Sequence, residues 1–137
     1  MKQYKIFISH SWAYSKNYEK LIKMLNADPR FNFCDYSVPK NDPIHNAPNA
    51  DALSQAIFNQ MRFCDVIIIL AGVYSTYSKW INKEIALAKA FTNPKPILAI
   101  QPWASEKTSL VVKVNADKIV KWSTSSIVTG IRELANL

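Results

Sequence analysis

Glu84 and Trp80 stand one helical turn apart in the stretch SKWINKEIALAKAF, residues 78–91, and that spacing is where chemistry could be done. At about 100° per residue, a helix over these residues gathers Leu87, Trp80, Phe91, Ala88, Ile81 and Ile85 on one arc. Asn82, Lys83 and Lys89 fall outside the arc, whereas Glu84 falls inside it. A carboxylate in that position loses water, so it is either paired or more readily protonated, as carboxylates that work in clefts are. Trp80 lies on the same side and offers an aromatic plane beside it. The plainer alternative is a boundary glutamate whose head reaches solvent.

The chemistry that one glutamate beside a tryptophan suits is cleavage of an N-glycosidic bond whose leaving group departs neutral. Nicotinamide in NAD is already cationic, so no general acid is needed, and a single carboxylate can stabilise the oxocarbenium-like transition state or orient a ribose hydroxyl. Ordinary glycosidases use two carboxylates because the leaving oxygen must also be protonated. The absence of a second acid favours NAD over a sugar chain.

Other chemistries find less support. There is no G-x-G-x-x-G and no G-x-x-x-x-G-K-[ST], and the chain holds only Gly72 and Gly130, which disfavours a Rossmann or P-loop phosphate cradle. Ser9 and Ser11, with backbone amides at a helix start, suit a phosphate or ribose, although Ser11 serves equally as a helix cap. His10 reads as a solvated loop histidine, since no serine or cysteine with a third orienting group completes a triad. Asp35 as a phosphoacceptor lacks the paired acidic residues expected after the first strand. Cys34 and Cys64 have no histidine cluster nearby, so they read as buried thiols, with no metal site expected.

The elements that must position these groups alternate in type. Residues 4–9, YKIFIS, form a buried strand ending in the polar Ser9-His10-Ser11. Tyr18, Leu21, Ile22 and Leu25 set a helix over about 14–27, stopped by Asp28-Pro29. Residues 31–36 make a second strand, and 37–49, with Pro39, Pro43 and Pro48, make a long loop of the kind that is usually functional or disordered. Leu53, Ala56, Ile57 and Met61 mark a second helix, and DVIIILA, 65–71, is the central strand buried on both faces. After a hydroxyl-rich turn over 72–77, Ser78 caps the helix that carries Glu84, which Asn93-Pro94 closes off. Residues 97–100 give a fourth strand, 102–115 an irregular polar connection, 118–122 a fifth strand, and 123–137 a final helix.

This alternation implies one flavodoxin-like α/β domain over residues 1–137, a five-stranded parallel sheet of order 2-1-3-4-5 with helices on both faces. In such sheets ligands sit beyond the carboxyl ends of the strands, where 9–12, the loop after Tyr36 and the turn before Ser78 converge. The length, 137 residues, suits one core. The longest apolar run, 66–73, is well short of the roughly 20 residues of a membrane span, and no signal peptide is evident, so a cytoplasmic protein is expected. The net charge of +7 comes from scattered lysines without interleaved aromatics, a pattern that fits a phosphate-bearing small ligand and not nucleic acid.

KIFISHSW, DYSVPKNDPI, CDVIIILAGVYS and SKWINKEIALA together resemble the TIR-like domains of bacteria, close to that of the Thoeris anti-phage system. The resemblance runs to about residue 100. It implies NAD as a substrate, with no further cofactor, split to nicotinamide and ADP-ribose or a cyclised isomer. By resemblance Glu84 is the catalytic glutamate, Trp80 the tryptophan before it, and Ser9, His10, Ser11 and Tyr36 belong to the loops that flank the nucleotide. It also implies self-association through TIR contacts and a separate effector protein reached through the nucleotide product. Many TIR domains are instead assembly modules without catalysis, and a nucleoside deoxyribosyltransferase-like enzyme would share the sheet and a glutamate.

Overall fold

Val66–Leu70 is five consecutive large aliphatic residues, all but one β-branched, and a strand with no polar side is stable only with cover on both faces. The computed structural model, which describes residues 2–9, 15–36, 50–70, 79–101 and 110–136, supplies that cover. Five strands, β1 (Gln3–Ser9), β2 (Asn32–Asp35), β3 (Val66–Leu70), β4 (Ile97–Ile100) and β5 (Lys118–Val120), form one sheet in the order β2-β1-β3-β4-β5. Every pairing is parallel, with Lys5 opposite Cys34, Phe7 opposite Ile67, Ile67 opposite Ile97 and Leu98 opposite Lys118. The flavodoxin-like order expected from the alternation is the order observed.

Among the described residues there are five helices: α1 (Ser15–Asn26), α2 (Ala50–Met61), α3 (Lys79–Lys89), α4 (Leu110–Asn115) and α5 (Thr124–Ala135). Strand alternation divides the core into two layers. Tyr4, Ile6, Ile8, Val66, Ile68, Leu70, Leu98 and Ile100 face α1 and α5, where Leu21, Leu25, Ile127 and Ile131 meet them. Phe7, Ile67, Ile69, Ile97 and Ala99 face the other way, against Ile57 and Met61 of α2, Ile85 and Ala88 of α3 and Val112 of α4.

The amino ends of the strands are fixed by side chains that bond main-chain donors and acceptors. Asp65 Oδ2 accepts from Lys5 N at 2.9 Å, Asp117 Oδ2 accepts from Ile97 N at 2.7 Å, and Lys95 Nζ donates to the Cys64 and Arg62 carbonyls at 2.9 and 3.1 Å.

Four expectations need correction. The segment 102–115 was expected to be irregular, yet Leu110–Asn115 is helical. Its valines are weak helix formers, and burial of Val112 at 0 % exposure outweighs that preference. The α3 helix ends at Lys89 and not at Phe91: Ala90 N bonds back to Leu87 O at 3.1 Å, and the Phe91 ring stacks on Phe58 at 4.0 Å. The β5 strand stops at Val120, short of Trp122, where Ser123 N turns back to Lys121 O and the Ser123 side chain caps α5 through Ser126 N. Cys64 is buried as expected, but Cys34 is half-buried because β2 is the edge strand. The loop 37–49 and the turn 72–77 lie outside the described residues.

Candidate functional site

The α3 helix packs against α2 and carries Glu84 inward. Glu84 is 1 % exposed, and among the described residues it is the one charged or polar side chain that is buried. Ile85 and Ala88 beside it enter the apolar layer under α2, so the wheel's placement of Glu84 within the apolar arc is what the structure shows. The head of a boundary glutamate would reach solvent, and this one does not. Burial of a carboxylate costs several kcal/mol before compensation, roughly the size of a domain's whole margin of stability. A buried carboxylate therefore stands apart from the apolar residues of this layer.

The remaining residues singled out in the sequence are placed as follows. Ser9 is the last residue of β1, in register with Ile69 near the carboxyl end of β3. Trp80 lies in the first turn of α3, one turn before Glu84. His10 and Ser11 lie outside the described residues. Tyr36 follows β2, with its N donating to Ile6 O at 2.8 Å and its carbonyl accepting from Gln60 Nε2 at 3.4 Å. Its ring stacks at 6.2 Å on Phe63, two residues past the end of α2, on the same face of the sheet as α3. Partial burial, with the Cys34 thiol alongside, raises the Tyr36 hydroxyl above its ordinary value.

Two further groups are shaped by their surroundings. Burial pushes the Cys64 thiol up to about 12, and Lys95 offsets only part of that, so Cys64 stays a protonated core residue. Tyr18, in α1, donates its hydroxyl to Asp35 at the end of β2, and burial together with that carboxylate raises the tyrosine well above its ordinary 10.0. Periodicity gave no sign of this pair, which joins residues 17 apart on different elements. Among the described residues no group of three or more His, Cys, Asp and Glu is placed to hold a metal ion. Among them, too, no helix is long and apolar enough to cross a membrane.

A parallel five-stranded sheet in this order, with a carboxylate buried under α3, defines a flavodoxin-like α/β domain whose distinguishing group is Glu84. Residues 7–107 match the family described as Thoeris protein ThsB, TIR-like domain, and the chain belongs to that family of defence-related TIR-like domains. No curated protein matches the chain. Among solved structures it is similar to FerB, a flavoenzyme NAD(P)H:(acceptor) oxidoreductase from Paracoccus denitrificans. That likeness covers 98 % of this chain and 72 % of the other, at 15 % identity and a TM-score of 0.37.

Proposed function

We propose that the chain cleaves the bond between nicotinamide and ribose in NAD, with Glu84 as the catalytic carboxylate. The burial of Glu84 carries the reading, and membership of the TIR-like family supports it. As the C1′–N bond breaks, the electron pair goes to the pyridinium nitrogen and nicotinamide leaves neutral. Positive charge then develops across C1′ and O4′ of the ribose. A carboxylate about 4 Å from that charge is worth about 4 kcal/mol at an effective dielectric constant near 20, or roughly a thousandfold in rate. In bulk water the same pair is worth about 1 kcal/mol, so a buried position is what gives the single carboxylate its effect.

The cation is captured either by water, giving ADP-ribose and a proton, or by a nucleophile of the same ligand, giving a cyclic ADP-ribose isomer and a proton. An apolar layer of Ile85, Leu87 and Phe91 around the site disfavours water, and the proposal is the cyclic product, acting as a signal to a separate effector. Ser9, His10, Ser11, Tyr36 and Trp80 are proposed to hold the nucleotide. At 1 % exposure Glu84 cannot touch a substrate until its cover moves, and assembly with neighbouring chains is proposed to move it.

The experiment is to incubate purified chain with NAD across a range of protein concentrations and to measure released nicotinamide and the mass of the remaining nucleotide. Nicotinamide release per chain that rises with concentration, with a species isobaric with cyclic ADP-ribose, is the expected result. Release with linear ADP-ribose alone replaces signalling by NAD depletion. No release at any concentration leaves the family's non-catalytic assembly role.

A further inference from the structure

We propose that Tyr18 is a positioning residue for the nucleotide, acting through Asp35 to fix Tyr36 where the chain leaves β2. The inference rests on the NAD reading, in which Tyr36 helps to hold the nucleotide, and it adds a residue from the opposite side of the sheet.

Asp35 and Tyr36 are consecutive, and consecutive side chains along a strand point to opposite faces. The Asp35 carboxylate turns to the α1 side, where it accepts from the Tyr18 hydroxyl. The Tyr36 ring turns to the α2 side, where it packs against that layer and stacks on Phe63. A tie made on one face therefore sets a side chain on the other, through the backbone that the two residues share.

The end of β2 needs such a tie. It is a four-residue strand at the edge of the sheet, with a ladder neighbour on one side only, and strand ends of this kind open at little cost. Three elements converge on its last two residues. Tyr18 reaches Asp35 from α1, Ile6 O of β1 accepts from Tyr36 N at 2.8 Å, and Gln60 Nε2 of α2 donates to Tyr36 O at 3.4 Å. The bond from Tyr18 ends on a carboxylate and is partly withdrawn from water, which makes it the strongest of the three in kind. Packing does not replace it: a groove of about 590 Å³ opens between α1 and β2 with both Tyr18 and Asp35 in its lining, so the bond spans space that no apolar core fills.

Freedom left in Tyr36 would have to be removed when the nucleotide binds, at the expense of affinity. Loss of the Tyr18 hydroxyl should therefore appear in KM and not in kcat, because the bond that breaks lies at Glu84.

The test uses the full chain, at one concentration at which the wild type is active, with Tyr18→Phe, Asp35→Asn and, as a control from the same helix, Leu21→Ala. Hydrogen exchange at the Tyr36 amide and nicotinamide release are measured on each. In Tyr18→Phe the Tyr36 amide is expected to exchange about tenfold faster, and KM for NAD to rise about fivefold with kcat within about twofold of wild type. Asp35→Asn keeps an oxygen that can accept the hydroxyl and should show smaller changes in both. Leu21→Ala destabilises the chain without removing the bond and should leave both unchanged. An unchanged exchange rate at Tyr36 in Tyr18→Phe overturns the proposal, whether or not NAD is cleaved. Faster exchange with an unchanged KM leaves a structural tie alone and overturns it too, as does an equal rise of KM in Leu21→Ala. No nicotinamide release by the wild type overturns the NAD reading and the positioning role with it, while the exchange rates separately report whether Tyr18 holds Tyr36.

Discussion

The two layers that cover the sheet are built to different ends. On the α1 and α5 side the buried residues, among those described, are all apolar, the α5 helix is capped by Ser123, and Gly130 lets that helix lie close on Leu98. On the α2 and α3 side the same kind of aliphatic strand face meets a layer that includes a buried carboxylate. One layer maximises packing, and the other gives some of it up. If Glu84 is catalytic as proposed, substitutions on each side of the sheet should report different quantities.

The largest expected effect is at Glu84. Glu84→Gln keeps the size and hydrogen-bonding capacity but removes the charge, so NAD cleavage should fall about a thousandfold with little change in melting temperature. Glu84→Leu, which removes the carboxylate altogether, should lose the same activity. Steady-state kinetics and a melting curve on both variants decide it. Retention of near wild-type turnover by Glu84→Gln would return that side of the sheet to a purely structural role.

Next in size is the reciprocal experiment on the other layer. Leu21 is buried against the sheet in the apolar core on that side, and Leu21→Ala should cost about 3 kcal/mol through lost transfer energy and a residual cavity. Its turnover per folded molecule should match wild type. A drop in kcat at full folding, measured well below the denaturation midpoint, would show that the two layers are coupled.

The same contrast explains what could be read from the chain alone. The central strand was legible because a run as apolar as Val66–Leu70 has few other uses, and its neighbours followed from strand and helix alternation. Glu84 was legible because a helix wheel converts sequence spacing into a face, and one acidic residue on an apolar face stands out. Val112 was not legible: its helix is held by tertiary burial against local preference, and no window of sequence contains that information. The Tyr18 to Asp35 bond and the groove beside it arise where two elements meet across the fold, beyond the reach of periodicity.

A smaller effect, common to both sides, appears at alkaline pH. Cys64 on the α2 side is raised from 9.0 to about 12, and Tyr18 on the α1 side is raised from 10.0. The unfolded chain releases these protons at ordinary values while the folded chain retains them. Unfolding therefore releases protons, and stability is full below about pH 9 and declines as pH rises towards 12. For Cys64 the slope approaches about 1.4 kcal/mol per pH unit at most. Urea midpoints between pH 8 and 11 should show the decline, and Cys64→Ala should flatten its earlier part (about one pH unit before tyrosine ionisation joins). A midpoint that does not move over this range would mean that Cys64 is hydrated in the folded chain.

The smallest effect concerns how closely each layer approaches the β4 strand. On one face Ala88 of α3 is buried in the layer containing Ile97 and Ala99; on the other, Gly130 of α5 lies over Leu98. In an open helix Gly→Ala gains about 1 kcal/mol. At Gly130 a Cβ would meet Leu98 Cδ1 at 2.9 Å, with Leu98 Cδ2 and Val120 Cγ1 each at 3.4 Å. Leu98 is buried in the centre of the sheet, so its methyl groups can yield only by pushing on packed neighbours, at a cost of about 1–3 kcal/mol. The two terms oppose each other and the clash is the larger, so Gly130→Ala should destabilise by about 1 kcal/mol, read as a lower urea midpoint with unchanged m-value. Adding Leu98→Val removes one carbon from the contact, and the double variant should recover part of what Gly130→Ala loses. If Gly130→Ala alone raises the midpoint, the α5 layer has room to shift, and the tighter packing assigned to that side of the sheet does not hold.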